Sequence, residues 1–178
     1  LLVLRKTRRP GLLALFEAAR IQPSQADAET VGFTIGPRLN AAGRMDHASL
    51  ALKLLLAETM DEARALAQEL ERCNRARQDA TKAMMATAER LVAEERMGAW
   101  PMQVVWHPEW SPSLVGLVAG KLMERSGRPV VAIGKHGANW IGSGRSPKAF
   151  DVTEAMRRAG DGILTRVGGH VQACGFAL

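Results

Sequence analysis

The stretch TMDEARALAQELERCNRARQDATKAMMATAERLVAEERM, residues 59–97, separates two parts of the sequence that have different patterns. It contains neither glycine nor proline and is built mainly from Ala, Glu, Arg, Gln, Leu and Met, which all favour helix. Thr59 and Glu62 have the spacing of a capping box, which indicates the first turn. Gly98 is expected to take the left-handed conformation that ends a helix, and Pro101 prevents continuation. We therefore predict one long helix over residues 59–97.

The apolar stripe on this helix is thin. Alternating steps of four and three residues give the series Leu66, Leu70, Cys73, Arg77, Ala80, Met84, Thr87 and Leu91. Because Arg77 interrupts the series, the stripe is too weak for a free-standing coiled coil. We expect a helix that packs lightly on a body at each end and thereby connects two domains.

The sequence before the long helix is predicted to be mostly helical. Residues 12–19 have a helical pattern, and residues 24–29 are expected to form a polar loop. Asp46 can cap a further helix that continues to Leu56.

The sequence after the long helix has an α/β pattern. Apolar runs predict strands over residues 102–106, 129–133 and 140–145. Ser111 followed by proline predicts the start of one helix, which runs to Gly127, and Asp151 predicts the cap of another. From residue 163 onward we expect an extended tail with several glycines.

Composition excludes several classes of protein. The 178 residues include 24 Lys and Arg against 18 Asp and Glu, a net charge of +6 that suits nucleic-acid or phosphate-bearing partners, although many basic chains have none. Two cysteines are too few to stabilise a fold of this size by disulfide bonds, and no apolar run approaches the ~20 residues of a membrane span. The chain begins with Leu1 rather than Met, so we expect a fragment. Because no membrane span is present, we expect a soluble cytoplasmic protein without membrane contact.

A first candidate site is GPRLNAAGR, residues 36–44. Glycines near both ends allow tight turns, and Arg38 and Arg44 bracket Asn40, so the segment could hold a phosphate through bidentate bonds. A loop between domains with solvated arginines is the alternative, and the spacing does not decide between them.

Two further segments combine glycine with polar groups. In GSGRS, residues 142–146, Ser143 and Arg145 are two positions apart on a strand and face the same side, as a phosphate clamp would require. In GGH, Gly168 and Gly169 leave room for His170 to donate to a bound phosphate. The alternatives are a flexible strand end and a structural histidine. Cys174 is expected to be a buried, inert thiol.

Together, PRLNAAGR, a long helix, GSGRS and GGH resemble the RecJ family of single-strand-specific DNA exonucleases, in the DHH phosphoesterase superfamily. The resemblance covers nearly the whole chain. It implies that residues 1–57 form the carboxy-terminal part of the catalytic DHH domain, residues 58–98 the connector helix, and residues 99–178 the DHH-associated domain with a mixed sheet. The implied fold class is α/β.

The resemblance also implies an activity. Family members are manganese- or magnesium-dependent enzymes that degrade single-stranded DNA from its 5′ end in recombination and repair. Their metal ligands are Asp and His residues of motifs that this sequence does not contain, since Asp46-His47-Ala48 is not such a motif. We therefore assign no metal ligands here, and expect Mn²⁺ or Mg²⁺ to be held outside this fragment, which should not hydrolyse DNA alone.

The resemblance implies roles for the residues on the substrate side. They are Arg38, Asn40, Arg44, Ser143, Arg145, Gly168 and Gly169 for the phosphate and the DNA 5′ end, and His170 for catalysis. The chain departs from the family where Trp110-Ser-Pro-Ser113 replaces Trp-His-Pro-Gly, which leaves Ser111 as a helix cap. Two alternatives are a phosphodiesterase for short oligonucleotides or cyclic dinucleotides, and a non-catalytic nucleic-acid-binding relative.

Overall fold

The computed structural model describes residues 1–45 and 48–178. The predicted helix cap Asp46 and its neighbour His47 lie outside the described residues. The chain divides into two compact units, Leu1–Asp79 and Ala80–Leu178. Within the described ranges, no helix combines the length and the hydropathy needed to cross a membrane.

The first unit is helical, as predicted. Its helices are α1 (Leu2–Arg5), α2 (Pro10–Ala19), α3 (Gly36–Met45), α4 (Ser49–Leu56) and the first part of α5 (Met60–Glu94). The apolar faces of α2, α4 and α5 meet around Phe16, Leu54 and Leu70. The predicted loop over residues 24–29 is partly wrong, because the 3₁₀ turn Pro23–Gln25 includes its first two residues and residues 28–29 are helical; a π-helical stretch follows at Thr30–Ile35.

Helix α5 forms close to the predicted bounds. At its start the Glu62 N–H donates to Thr59 Oγ1 at 3.3 Å. Its end differs from the expectation: Arg96 takes the left-handed conformation, with φ of 53°, and Gly98 lies in a following 3₁₀ turn. Met97 is only 8% exposed in the core of the second unit. The chain therefore turns before Gly98, because burial of Met97 outweighs the glycine signal.

The fully buried face of α5 is shifted from the stripe that apolar spacing predicts, although Leu66, Cys73, Ala80 and Leu91 of that stripe are half-buried and pack against the two cores. The face consists of small, polar and apolar side chains: Ala63, Ala67, Leu70, Asn74, Thr81, Met84, Met85 and Ala88. Only Leu70 and Met84 belong to both sets. Buried alanine, asparagine and threonine carry little hydrophobic signal, so periodicity alone could not identify this face.

The second unit contains a mixed sheet. Its strands are β1 (Gln103–His107), β2 (Val130–His136), β3 (Asn139–Arg145), β4 (Arg166–His170) and β5 (Ala173–Ala177), in the order β1-β2-β3-β5-β4. Strands β1 and β2 are parallel, and each later pair is antiparallel. The predicted α/β class with a mixed sheet is confirmed.

Two helices cover opposite faces of this sheet. Helix α6 (Pro112–Ser126) packs on Val130 and Ala132, whereas α7 (Val152–Ala159) packs on the face of Cys174 and Phe176. Both predicted starts are at the right positions. Asp151 Oδ1 accepts from the Glu154 N–H at 2.9 Å, but the Ser111 hydroxyl bonds the Ser113 hydroxyl instead of a backbone amide.

Candidate functional site

Four of the predicted site residues of the second unit, Ser143, Arg145, Gly168 and His170, share one face of the sheet, whereas Gly169 does not. The pairings β3–β5 and β4–β5 align Ser143, Gly175 and Gly168 in one row across three strands. The adjacent row is Arg145, Ala173 and His170. Because side chains alternate along each strand, both rows face the same side. This is also the side of α6, since Ser143 is opposite Ala132. We call it the glycine face.

Arg145 and Ser143 are bonded to each other on the glycine face. Arg145 Nη1 donates to Ser143 Oγ at 2.6 Å and to the Gly144 carbonyl at 2.7 Å. The Ser143 hydroxyl in turn donates to the Cys174 carbonyl at 3.0 Å. The half-buried guanidinium is therefore held in a defined plane, the arrangement that bidentate recognition of phosphate requires.

Gly116 of α6 makes room for this pair. A Cβ atom at Gly116 would lie 2.9 Å from Arg145 Nη2 and 3.2 Å from Ser143 Oγ. A larger residue would therefore displace the guanidinium. The sequence analysis missed Gly116, because only the packing of α6 on β3 brings it beside Arg145.

The backbone next to Ser143 is open to a ligand. Gly168 and Gly175 face each other across β4 and β5, and a Cβ atom at either would meet nothing within 4 Å. Gly169 has a different role: its φ is 157°, and a Cβ there would lie 2.2 Å from the Ala173 carbonyl oxygen. Glycine is therefore required at 169 by the close approach of β5, and at 168 it leaves the sheet surface bare.

His170 ends β4 on the glycine face with an exposed side chain. Its backbone is fixed, because the buried Thr153 hydroxyl donates to the His170 carbonyl and the Val152 N–H bonds Val171. Within the described residues the imidazole itself makes no hydrogen bond. The alternative of a buried, hydrogen-bonded structural histidine does not match this environment.

Arg166 is a further cation on this face that the sequence analysis missed. It lies two residues before Gly168 on β4, and its side chain is exposed. Arg166, His170 and Arg145 therefore border the open glycine backbone with groups that can bind an anion. The alternation along β4 could have indicated Arg166, but only the register relates it to Arg145.

In the first unit, the segment of residues 36–44 is a helix and not a turn. Gly36 has helical angles, φ −55° and ψ −48°, and α3 continues through Gly43. Ala41 and Ala42 are fully buried, so packing of this face outweighs the two glycines. The predicted tight turns at both ends are wrong.

Helix α3 places its two arginines differently from Asn40. Arg38 Nε donates to Glu71 Oε2 of α5 at 2.8 Å, and its Nη1 donates to the Thr34 carbonyl at 2.9 Å. Arg44 is half-buried, whereas Asn40 is exposed. The structure thus brings Arg38 to an acidic partner on α5, and it does not bring Asn40 there.

Two other observations limit the chemistry of the described residues. Cys174 is buried, as predicted, and this burial raises the pKa of its thiol, which disfavours the reactive thiolate. Among residues 1–45 and 48–178, no group of three His, Cys, Asp or Glu side chains is arranged to hold a metal ion. The described residues therefore do not fit a resident metal.

Comparison with known proteins gives the family. Residues 98–178 match the DHHA1 domain family. The chain is 37% identical to the single-stranded-DNA-specific exonuclease RecJ of Salmonella typhimurium over 177 residues, covering 96% of this chain and 31% of that protein. Crystal structures of Thermus thermophilus RecJ with Mn²⁺ and with Mg²⁺ superpose with TM-scores of 0.85 and 0.84, at 36% and 34% identity.

These structures match 98% of this chain and 25% and 26% of their own. The chain thus spans less than a third of the length of each of these three relatives. The similarity extends over both units. Residues 98–178 therefore form a DHHA1 domain, and the chain is similar along nearly its whole length to part of the RecJ exonucleases.

Proposed function

We propose that this chain supplies the substrate-binding part of a metal-dependent exonuclease that degrades single-stranded DNA in the 5′ to 3′ direction. The proposed setting is DNA recombination and repair in the cytoplasm. Arg145 and Ser143 bind the phosphate at the DNA 5′ end, and Arg38 and Arg44 bind phosphate in the first unit. His170 stabilises the charge that develops on the scissile phosphate.

The observation that carries this proposal is the Arg145–Ser143 pair beside bare glycine backbone. A phosphate needs donors fixed in direction and a surface that it can approach closely. The hydrogen bonds of Arg145 supply the first, and the open space over Gly168 and Gly175 supplies the second.

The divalent metal of this chemistry is not assigned to residues of this chain. The two Thermus thermophilus RecJ structures contain Mn²⁺ or Mg²⁺, and a metal pair would activate water for attack on a phosphodiester. The described residues do not form a metal-ligand cluster, so the proposed ligands lie elsewhere in the active protein. What this chain contributes is binding and orientation of the DNA.

Fluorescence anisotropy with the 178-residue chain tests this proposal. We expect it to bind a labelled oligothymidylate more tightly than a duplex of equal length, with affinity that falls as salt rises. With Mn²⁺ present it should release no nucleotides. Equal affinity for duplex and single strand would contradict the proposed substrate. Stronger competition by a cyclic dinucleotide than by the oligonucleotide would favour the phosphodiesterase alternative.

A further inference from the structure

An apolar groove lies on the face of the sheet opposite the glycine face. Trp106 of β1 is paired with Ile133 of β2, and Lys135 of β2 is paired with Trp140 of β3. Because side chains alternate along each strand and Ile133 packs on the core beneath α7, these four side chains are on the α7 side of the sheet. The groove has a volume of about 280 Å³ and is lined by Trp106, Ile133, Trp140 and Leu178.

Two tryptophan side chains contact each other in this groove. The ring centroids of Trp106 and Trp140 are 5.5 Å apart, and the ring planes are at 82° to each other, so the pair is edge-to-face. In such a pair the contact covers one face of one ring only. Trp106 is 56% exposed, whereas Trp110 in the core of the same unit is 4% exposed. The fold therefore leaves a large part of the Trp106 indole uncovered, where a planar group can stack.

Lys135 places a positive charge at the edge of the groove. Its Nζ is 5.6 Å from the centroid of the Trp140 ring, within the range of a cation–π contact, and its side chain is exposed. None of the four lining residues has an ionisable side chain, so the groove is apolar at its centre and cationic at this edge. A nucleotide is complementary to this arrangement, because its base has two π-faces and its phosphate is anionic.

The size and charge of the groove favour a base over a protein partner. Four residues line it, whereas a stable protein interface has roughly 20–30 residues on each side. A symmetric contact between two copies of the chain, centred on the groove, would also bring two Lys135 side chains together, and like charges at an interface oppose association. A single planar base with its phosphate satisfies both constraints.

We propose that this groove binds one nucleotide of single-stranded DNA, with the base stacked on Trp106 and the adjacent phosphate held by Lys135. The inference rests on the proposed function, because it takes the same strand as ligand, and it adds a second site. Stacking tolerates any sequence, since every base has a π-face, and it needs no 5′ phosphate. Ser143 and Arg145 are on the other side of the sheet, so the nucleotide bound here is separate from the 5′ end.

Oligothymidylate and an abasic strand of equal length separate base stacking from phosphate binding. We expect the 178-residue chain to bind oligothymidylate more tightly. Trp106→Leu should weaken this binding roughly fivefold to a hundredfold and leave the affinity for the abasic strand unchanged. Trp106→Phe should retain most of the preference, because phenylalanine keeps an aromatic face. Trp100→Leu is the matched control, because Trp100 is 47% exposed and does not line the groove. It should bind both strands as the unmodified chain does.

The comparison of the two strands needs no variant, so it stays decisive if Trp106→Leu is unstable. Equal affinity of the unmodified chain for both strands would overturn the inference alone, as would unchanged oligothymidylate binding in a folded Trp106→Leu. A chain that sediments as a dimer, and that Trp106→Lys converts to a monomer with unchanged DNA affinity, would assign the groove to a second copy instead. Failure of the unmodified chain to bind either strand would overturn the proposed function as well.

Discussion

Arg145 Nη1 lies 2.6 Å from Ser143 Oγ, and the same serine donates to the Cys174 carbonyl of the neighbouring strand. The guanidinium is therefore anchored through the serine to the backbone of β5. A cation that is already oriented loses less conformational freedom when it binds a ligand. Through this relationship a serine and an arginine two residues apart in the sequence form the preorganised phosphate site that we propose.

The environment of Gly116 predicts that Gly116→Ala weakens DNA binding without lowering the free energy of unfolding. Gly116→Ala would place a methyl group 2.9 Å from Arg145 Nη2, which lies at the end of a flexible side chain and can move aside. We expect the affinity for 5′-phosphorylated DNA to fall several-fold, whereas the helix gains from replacing glycine by alanine.

Gly120→Ala is the matched control for this prediction. Gly120 lies one turn further along α6, and an added Cβ would meet nothing within 4 Å. This variant should raise the free energy of unfolding by about 1 kcal/mol and leave DNA binding unchanged. Equal affinities of the two variants for 5′-phosphorylated DNA, measured by anisotropy, would argue against a role for the Arg145 orientation.

His170→Ala should lower turnover strongly in the active protein that contains this segment. If the imidazole neutralises charge in the transition state, its loss costs ~2.7–4 kcal/mol in turnover, with a smaller effect on DNA affinity. The melting temperature should change little, because the side chain is exposed and the strand end is held by the Thr153 hydroxyl and the Val152 N–H, which donate to the carbonyls of residues 170 and 171.

His136→Ala provides the comparison, since His136 is also an exposed histidine at a strand end. It should leave turnover and stability nearly unchanged. A His170→Ala protein that is destabilised but retains near-normal turnover per folded molecule would show that the histidine is structural.

Much of the fold could be predicted from the sequence, because the signals were local. The α5 helix follows from residue propensity, and the start of α7 follows from the Asp151 cap. The helical state of residues 36–44 could not be predicted, since it depends on burial of Ala41 and Ala42 in a core formed by distant segments. Where tertiary packing decided the outcome, local glycine signals at 36 and 98 were misleading.

The candidate site could be predicted only in part, because some of its residues are related by local spacing and others by tertiary packing. Ser143 and Arg145 share a face because side chains two residues apart on a strand point to the same side, so their spacing in the sequence is enough to predict this. Their relation to Gly168 and His170 depends on the register of β4 and β5 with β3, which no local pattern specifies. Gly116 was missed because only the packing of α6 on β3 brings it beside Arg145.

Cys174 predicts a pH dependence of stability. Burial raises the pKa of its thiol above the ordinary value of 9.0, so the folded state binds this proton more tightly than the unfolded state. The contribution of this group is fully present below the unfolded pKa and is lost as pH rises toward the folded pKa. The free energy of unfolding should therefore decrease above about pH 9.

Denaturant titrations over a pH series measure this effect. Cys174→Ala should reduce the alkaline decrease, whereas Cys73→Ser, at a half-buried position on α5, should retain it. In native protein, a thiol reagent should modify Cys174 only after unfolding. An alkaline profile that is identical in Cys174→Ala and the unmodified chain would assign the decrease to other groups.

The affinity of the Arg145→Ala chain for 5′-phosphorylated and 5′-hydroxyl oligonucleotides tests the central claim most directly. Loss of one bidentate contact should weaken binding of the 5′-phosphorylated strand by ~1.5–3 kcal/mol, roughly tenfold to a hundredfold. Binding of the 5′-hydroxyl strand should change little, Arg145→Lys should not restore the preference, and the exposed Arg157→Ala control should keep it. An equal loss of affinity for both strands would contradict recognition of the 5′ end by Arg145.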